Sequence, residues 1–218
     1  MPDSFKLITI DGGAATGKST TSKAVSKELK LLHVDTGSHY RTLTRILIDA
    51  GVAADAEDAV AAALADVTLE TVIEGRLAFL AVNGERPEDA TIRSADVNAQ
   101  VSLFAQMPIV RDKLKAYQRS FVEIAESNGF QGLVMEGRDI GSVIFPDAPY
   151  RFFLSADPET RAARRAAEGQ QDSIVERDKR DASRKTAPLV CPEGAVEIDT
   201  GSGTVEQVVA KIAEVVAA

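Results

Sequence analysis

Short apolar runs alternate along this chain with longer stretches whose apolar positions recur at helical spacing. The runs predict strands at residues 6–10, 32–35, 132–136, 150–154 and 195–199, and the longer stretches predict helices at 18–29, 38–49, 108–127, 157–167 and 204–216. Repeated strand–helix alternation builds a parallel sheet with helices on both faces. The expected class is therefore α/β, three layers around a five-stranded parallel sheet. Ligands of such sheets bind beyond the carboxyl ends of the strands, and each chemical motif below begins at such an end.

Two segments break the alternation. Residues 53–98 turn alanine-rich and acidic, then show an apolar run at 77–82, a turn at Asn83-Gly84 and a further run at 90–93. This predicts a helix and a small antiparallel sheet, folded as an inserted subdomain. Residues 166–185 are polar and charged without a hydrophobic stripe, which predicts a mobile helical flap.

Composition narrows the function. The chain has 218 residues, of which 44% are hydrophobic, enough for one domain with a core. A net charge of −8 argues against wholesale binding to nucleic acid or to an anionic membrane. One cysteine, Cys191, excludes an internal disulfide framework and fits a reducing cytoplasm, and with only His33 and His39 it cannot complete a Cys/His zinc site. No secretory leader is expected from the N-terminal residues, and no apolar run approaches the ~18 residues of a membrane span.

The sharpest motif follows the first strand. Gly12, Gly13, Ala14, Ala15, Thr16, Gly17, Lys18 and Ser19 form the phosphate-loop pattern, and Thr20 continues into a helix. Glycines let the backbone N–H groups curl around phosphate oxygens, and the helix start favours an anion. Lys18 would reach the β- and γ-phosphates of a nucleoside triphosphate, and the Ser19 hydroxyl would bind Mg²⁺. The pattern alone also describes a glycine-rich turn; the strand before it and the helix after it favour phosphate.

Four constellations bear on a second ligand. After the second strand, Thr36 or Ser38 can cap a helix whose first turn carries Tyr40 and Arg41. After the third strand, Glu136, Gly137, Arg138 and Asp139 place acid, base and acid in a row, costly to bury unless paired or ligand-bound. Arg138 could fork onto a phosphate, and Glu136 could orient a Mg²⁺-bound water. Ser102 and Arg111 flank Pro108 and say little alone. Arg161, Arg164 and Arg165 share one helix side, as do Arg177, Arg180, Asp181 and Arg184. Those arginines either face an anion or lace helices together by pairs such as Glu176–Arg180 and Asp181–Lys185.

Together the segments IDGGAATGKST, VDTGSHYRTLT, NGE…IR, VS…P-x-V-R, MEGRDIGSVIFPDA and ERDKRDASRKTAPL resemble the cytidylate kinase family of nucleoside monophosphate kinases, in family order over nearly the whole chain. The resemblance implies a phosphate-loop kinase domain with a core (about 1–37, 104–165, 186–218), a monophosphate-binding insertion (38–103) and a lid (166–185). It implies transfer of the γ-phosphoryl group of ATP, with Mg²⁺, to CMP or dCMP by a monomer. Residues 12–20 would hold ATP, with Arg161 and Arg165 in the basic wall above. Arg41 and Arg138 would clamp the monophosphate beside Thr36 and Tyr40, and Ser102, Arg111 and Asp139 would surround the cytosine. Arg177 and Asp181 would contact the sugar, and Arg184 would lie near the transferring phosphate; Lys18, Arg138, Arg177 and Arg184 would form the catalytic set. Two features depart from the family: Gly13 replaces a proline, and the interval from Arg165 to Glu176 is about half the usual length. Competing readings are a kinase for another acceptor and an ATP-dependent switch, which would need no second anion site.

Overall fold

The computed structural model describes residues 5–167, 174–184 and 186–217, without the side chains of 174–177. In chain order the elements are β1 (Lys6–Gly12), α1 (Lys18–Leu29), β2 (Leu32–Asp35), α2 (Thr36–Asp49), α3 (Glu57–Ala65), β3 (Leu69–Glu74), β4 (Leu77–Val82), α4 (Asp89–Ile92) and α5 (Ala95–Phe104). There follow α6 (Pro108–Arg119), α7 (Phe121–Ser127), β5 (Gly132–Gly137), a π-helical turn (Ile140–Ile144), β6 (Tyr150–Ser155), α8 (Pro158–Ala167), α9 (Ile174–Ala182), β7 (Val196–Asp199) and α10 (Val205–Ala217). Among the described residues no helix is long and apolar enough to cross a membrane.

The sheet has seven strands, not five, in the order β3-β4-β2-β5-β1-β6-β7. The five expected strands form one contiguous parallel block, β2-β5-β1-β6-β7, that ends at the β7 edge. β4 then pairs parallel to β2 through His33↔Leu77 and Val34↔Ala78, and β3 pairs antiparallel to β4. The hairpin therefore extends the main sheet instead of forming a separate small one. It covers the edge of β2, which would otherwise present unpaired N–H and C=O groups. Its turn lies at Gly75, in the left-handed region at φ 62°, and the Arg76 carbonyl accepts from His33 N–H at 2.8 Å. The turn at Asn83-Gly84 closes only an isolated bridge, Val82↔Glu85, and the expected strand at 90–93 is the short helix α4. The helix expected over 108–127 divides at Ser120, whose Oγ donates to the Tyr117 carbonyl at 2.8 Å.

Alternation along the strands fills both faces. Ile8, Ile10 and Val134 join Val25 of α1 and Ile212 of α10 in one buried cluster; Leu133 and Met135 join Phe121 and Ile144 in another. A third cluster packs α3 and α5 onto α2 and α6 through Leu43, Leu47, Val60, Phe104 and Leu114. The inserted segment is thereby fastened beside the carboxyl ends of the strands.

Asp11, fully buried at the end of β1, ties the π-helical turn to the sheet by accepting from Ile140 N at 2.8 Å and Gly141 N at 2.7 Å. Burial raises its pKa to about 7, and the two backbone N–H groups oppose that shift without cancelling it. The folded state therefore holds a proton on Asp11 across a pH range in which the unfolded chain, near 3.8, has released it. Stability from this group is present at pH 4 and is lost as pH rises through 7, by on the order of 4 kcal/mol if the whole shift is expressed. Asp11→Asn should remove that slope, so urea midpoints of wild type and variant should diverge between pH 4 and 7. Parallel midpoints across that range would show that Asp11 is ionised throughout.

Candidate active site

β1 enters the phosphate loop through Gly12, at φ 153°. A Cβ there would lie 2.2 Å from the Leu154 carbonyl oxygen, so a side chain would push β1 off β6 where Gly12 pairs with Leu154. Gly17, at φ 82°, precedes α1, and no side chain caps that helix. Its N-terminal N–H groups suit an anion. Thr16 braces the loop by donating to the Gly13 carbonyl at 3.1 Å, while the Thr16 carbonyl accepts from Thr200 Oγ1 at 2.8 Å. Lys18 Nζ donates to the Gly13 carbonyl at 2.6 Å. Burial, and then Arg138, lower the Lys18 pKa to about 7 against the opposing pull of Glu136, Asp11 and Asp178. Ser19 Oγ donates to Glu136 Oε2 at 2.8 Å.

One cleft then gathers residues that are far apart in sequence. It is lined by Lys18 and Ser19 of the loop, Thr36, Tyr40 and Arg41 of α2, Ser102 of α5 and Arg111 of α6. Glu136, Gly137, Arg138 and Asp139 line it from the end of β5, and Arg165, Asp181 and Arg184 from the flap side. Gly17 and Thr20 face an adjoining hollow with Arg164, Thr200 and Thr204, and Ala15 borders both. The side chains of Glu176 and Arg177, and Lys185 as a whole, lie outside the described residues.

The helix cap differs from expectation. Asp35, not Thr36 or Ser38, caps α2: its Oδ1 accepts from Ser38 N at 3.2 Å, and its Oδ2 pairs with Arg93 at 3.0 Å. Thr36, already helical, instead donates to the Glu136 carbonyl at 2.7 Å and so joins α2 to β5. Arg41 donates to Asn98 Oδ1 at 2.7 Å and to the Ile92 carbonyl at 3.4 Å, which sets it against the inserted segment.

Carboxylates partner Arg111, Arg138 and Arg184. Arg111 and Asp139 form a buried ion pair, and Arg111 also donates to the Ala105 carbonyl at 3.1 Å. Burial pushes the Asp139 carboxyl above its ordinary pKa while Arg111 pulls it back. The Arg111 guanidinium lies 5.6 Å from the Tyr40 ring centre. Arg138 reaches the Gly12 carbonyl at 2.9 Å and Asp181 Oδ2 at 3.2 Å; Asp181 also pairs with Arg184 and accepts from Ser102 at 3.3 Å.

Asp178 was missed by sequence reasoning. Its carboxylate accepts from the loop N–H of Ala14 at 3.1 Å, pairs with Arg161 and stands 3.5 Å from Arg138. A carboxylate of the flap thus occupies a place built for anions. The signal lay in ERDKRDASR, where Asp178 falls three positions before Asp181 on the same helix side. Gly13 makes room for it: a Cβ there would lie 2.9 Å from Arg161 Nη1 and 3.0 Å from Asp178 Oδ2. Arg164, named only as part of a cationic face, donates to the Thr200 carbonyl at 2.6 Å and holds α8 to the loop before α10.

Comparison with known proteins agrees with this geometry. The cytidylate kinase family profile matches residues 8–218. The chain belongs to the cytidylate kinase family. A cytidylate kinase of Geobacillus sp. (strain WCH70) is 42% identical over 224 residues, covering 96% of this chain and 95% of that one. One of Streptomyces griseus is 38% identical over 210 residues, covering 93% and 89%. Among solved structures, TT1252 from Thermus thermophilus aligns with a TM-score of 0.52 at 16% identity, covering 97% of each chain. An APS kinase from Mycobacterium tuberculosis aligns with a TM-score of 0.50 at 11% identity, covering 100% of each. These two likenesses bear on the fold alone, an α/β fold with a mostly parallel sheet.

A triphosphate seated on this loop would have to compete with the Asp178 carboxylate for the Ala14 N–H and Arg161. Asp178→Asn should therefore tighten ATP binding about three- to tenfold in equilibrium titration, because less of the protein rests in the occluded arrangement. Weaker ATP binding in Asp178→Asn would mean that the carboxylate serves the bound state instead.

Proposed function

We propose that the protein transfers the γ-phosphoryl group of ATP to CMP, and also to dCMP, forming ADP and CDP or dCDP. One observation carries this reading: a single cleft joins the phosphate loop to a second set of arginines and to the Arg111–Asp139 pair. ATP would lie on residues 12–20 with Arg161 and Arg165 alongside, and the monophosphate between Arg41 and Arg138, beside Thr36 and Tyr40. Ser19 Oγ and Glu136 Oε2, 2.8 Å apart, are hard oxygen donors suited to Mg²⁺. Ser19 would bind the ion directly and Glu136 through a water. Bound there, the ion would neutralise charge on the β- and γ-phosphates.

Positioning does the chemistry. An oxygen of the CMP phosphate, already anionic, attacks the γ-phosphorus as the bond to the β–γ bridging oxygen breaks and ADP leaves with the electron pair. No general base is required. Lys18, Arg138 and Arg184 stabilise charge spread over the transferring group. The family resemblance adds Arg177 to this set and implies that Arg177 and Asp181 contact the sugar. On the base side, Asp139, Arg111 and Ser102 supply a carboxylate acceptor and donors. A carboxylate accepts from the cytosine amino group but would face the carbonyl that uracil carries at that position.

Turnover measured with Mg-ATP against CMP, dCMP, UMP, AMP and GMP should favour the cytosine nucleotides; equal rates would reject the assignment. Lys18→Ala should abolish turnover while leaving the circular-dichroism melt in place, because the lysine's one hydrogen bond lies within the loop. Retained turnover would take the loop out of the mechanism.

The cytosine contact has its own test. Asp139→Ala would strand a buried Arg111, at a cost of about 3–5 kcal/mol, and so confound binding with folding. Asp139→Asn keeps the shape, and its amide can donate to uracil. It should narrow the CMP:UMP ratio of kcat/KM at least tenfold, about 1.4 kcal/mol. An unchanged ratio would remove Asp139 from base recognition.

A further inference from the structure

His33 has no part in the mechanism above, yet it touches a residue that does. It lies on β2 with 2% of its surface exposed, and its Nε2 is 2.9 Å from Glu136 Oε1. Glu136, also 2% exposed, accepts from Ser19 at its other oxygen, Oε2. Strand register explains the contact. β2 and β5 run parallel with His33 opposite Val134 and Asp35 opposite Glu136. His33 and Glu136 are thus diagonal neighbours on one sheet face, since side chains two residues apart share a face.

An ionised carboxylate only accepts hydrogen bonds, so the imidazole must carry its proton on Nε2 and donate. The two partners divide the carboxylate: His33 holds one oxygen and Ser19 the other. When the Ser19 hydroxyl turns to an ion, Oε2 loses its donor and Oε1 keeps its own. A buried carboxylate without that anchor would pay for unmet hydrogen bonds and could rotate away. Anchors of this kind commonly fix the ligands around a metal.

We propose that His33 is a positioning residue for phosphoryl transfer, whose Nε2–H holds Glu136 by one oxygen so that the other faces the magnesium ion's water shell. The inference rests on the reading of Glu136 in the proposed function.

The test compares His33→Leu, His33→Gln and Glu136→Gln by two readouts. One is the free Mg²⁺ concentration that half-saturates turnover at fixed ATP and CMP. The other is the Mg²⁺-dependent part of the rise in Tm with a non-hydrolysable ATP analogue. His33→Leu should raise the half-saturating Mg²⁺ about tenfold, the lower end for loss of such an anchor. It should also lose most of the Mg²⁺-dependent rise in Tm, while KM for CMP moves less than twofold. His33→Gln, which restores a donor, should recover most of both. His33→Leu added to Glu136→Gln should change neither readout further. A purely structural histidine would lower Tm equally with and without Mg²⁺. If Glu136→Gln raises the Mg²⁺ requirement and His33→Leu does not, His33 has no positioning role and the proposal alone falls. If Glu136→Gln leaves the requirement unchanged, the reading of Glu136 fails and the proposal falls with it. Should His33→Leu not fold, His33→Asn, polar but too short to reach Glu136, takes its place with the same expected outcomes.

Discussion

Strand β1 lies parallel to β5 with Ile10 opposite Glu136 and Asp11 opposite Gly137. One ladder therefore ends with the phosphate loop on one strand and Glu136-Gly137-Arg138-Asp139 on its neighbour. Strands stand about 4.8 Å apart in a sheet, so this register sets the span between the loop and the Glu136–Asp139 segment. The other anchors preserve it. Gly12 lets β1 approach β6, Asp11 draws in the π-helical turn after β5, and Thr36 joins α2 to the Glu136 carbonyl. A one-residue slip would turn Glu136 to the opposite face and separate it from Ser19 and His33.

Much of this arrangement was legible in sequence because it is local. The loop, its strand and its helix are contiguous, and strand–helix alternation states the parallel block of the sheet. What could not be read depends on pairing across distance. The apolar run at 77–82 announces a strand, but nothing in it says that it will pair with β2 at His33 and Val34. The same holds for partners. Arg41 and Arg138 stood out as cations, whereas Asn98 and Asp178, which meet them, are ordinary polar residues until the fold brings them together. His33 entered the sequence reading only in the exclusion of a Cys/His zinc site. Its actual partner, Glu136, lies 103 residues away.

The cleft also explains how a chain of net charge −8 can gather arginines around phosphate sites. Asp139, Asp178 and Asp181 partner Arg111, Arg161, Arg138 and Arg184. Buried ion pairs of this sort roughly break even against their desolvation, whereas an arginine stripped of its partner is strongly unfavourable. The carboxylates therefore keep the cleft folded without holding it firmly shut. A phosphate carries more charge and more acceptor oxygens than a carboxylate, so charge-assisted, forked hydrogen bonds favour it in the exchange. Gly13 and Asp178 belong to the same economy. The absence of a side chain at Gly13 admits the Asp178 carboxylate to the loop, and that contact fastens the flap helix α9 to the core. On the proposed function, a triphosphate on the loop would take that N–H for itself and exchange this contact for its own.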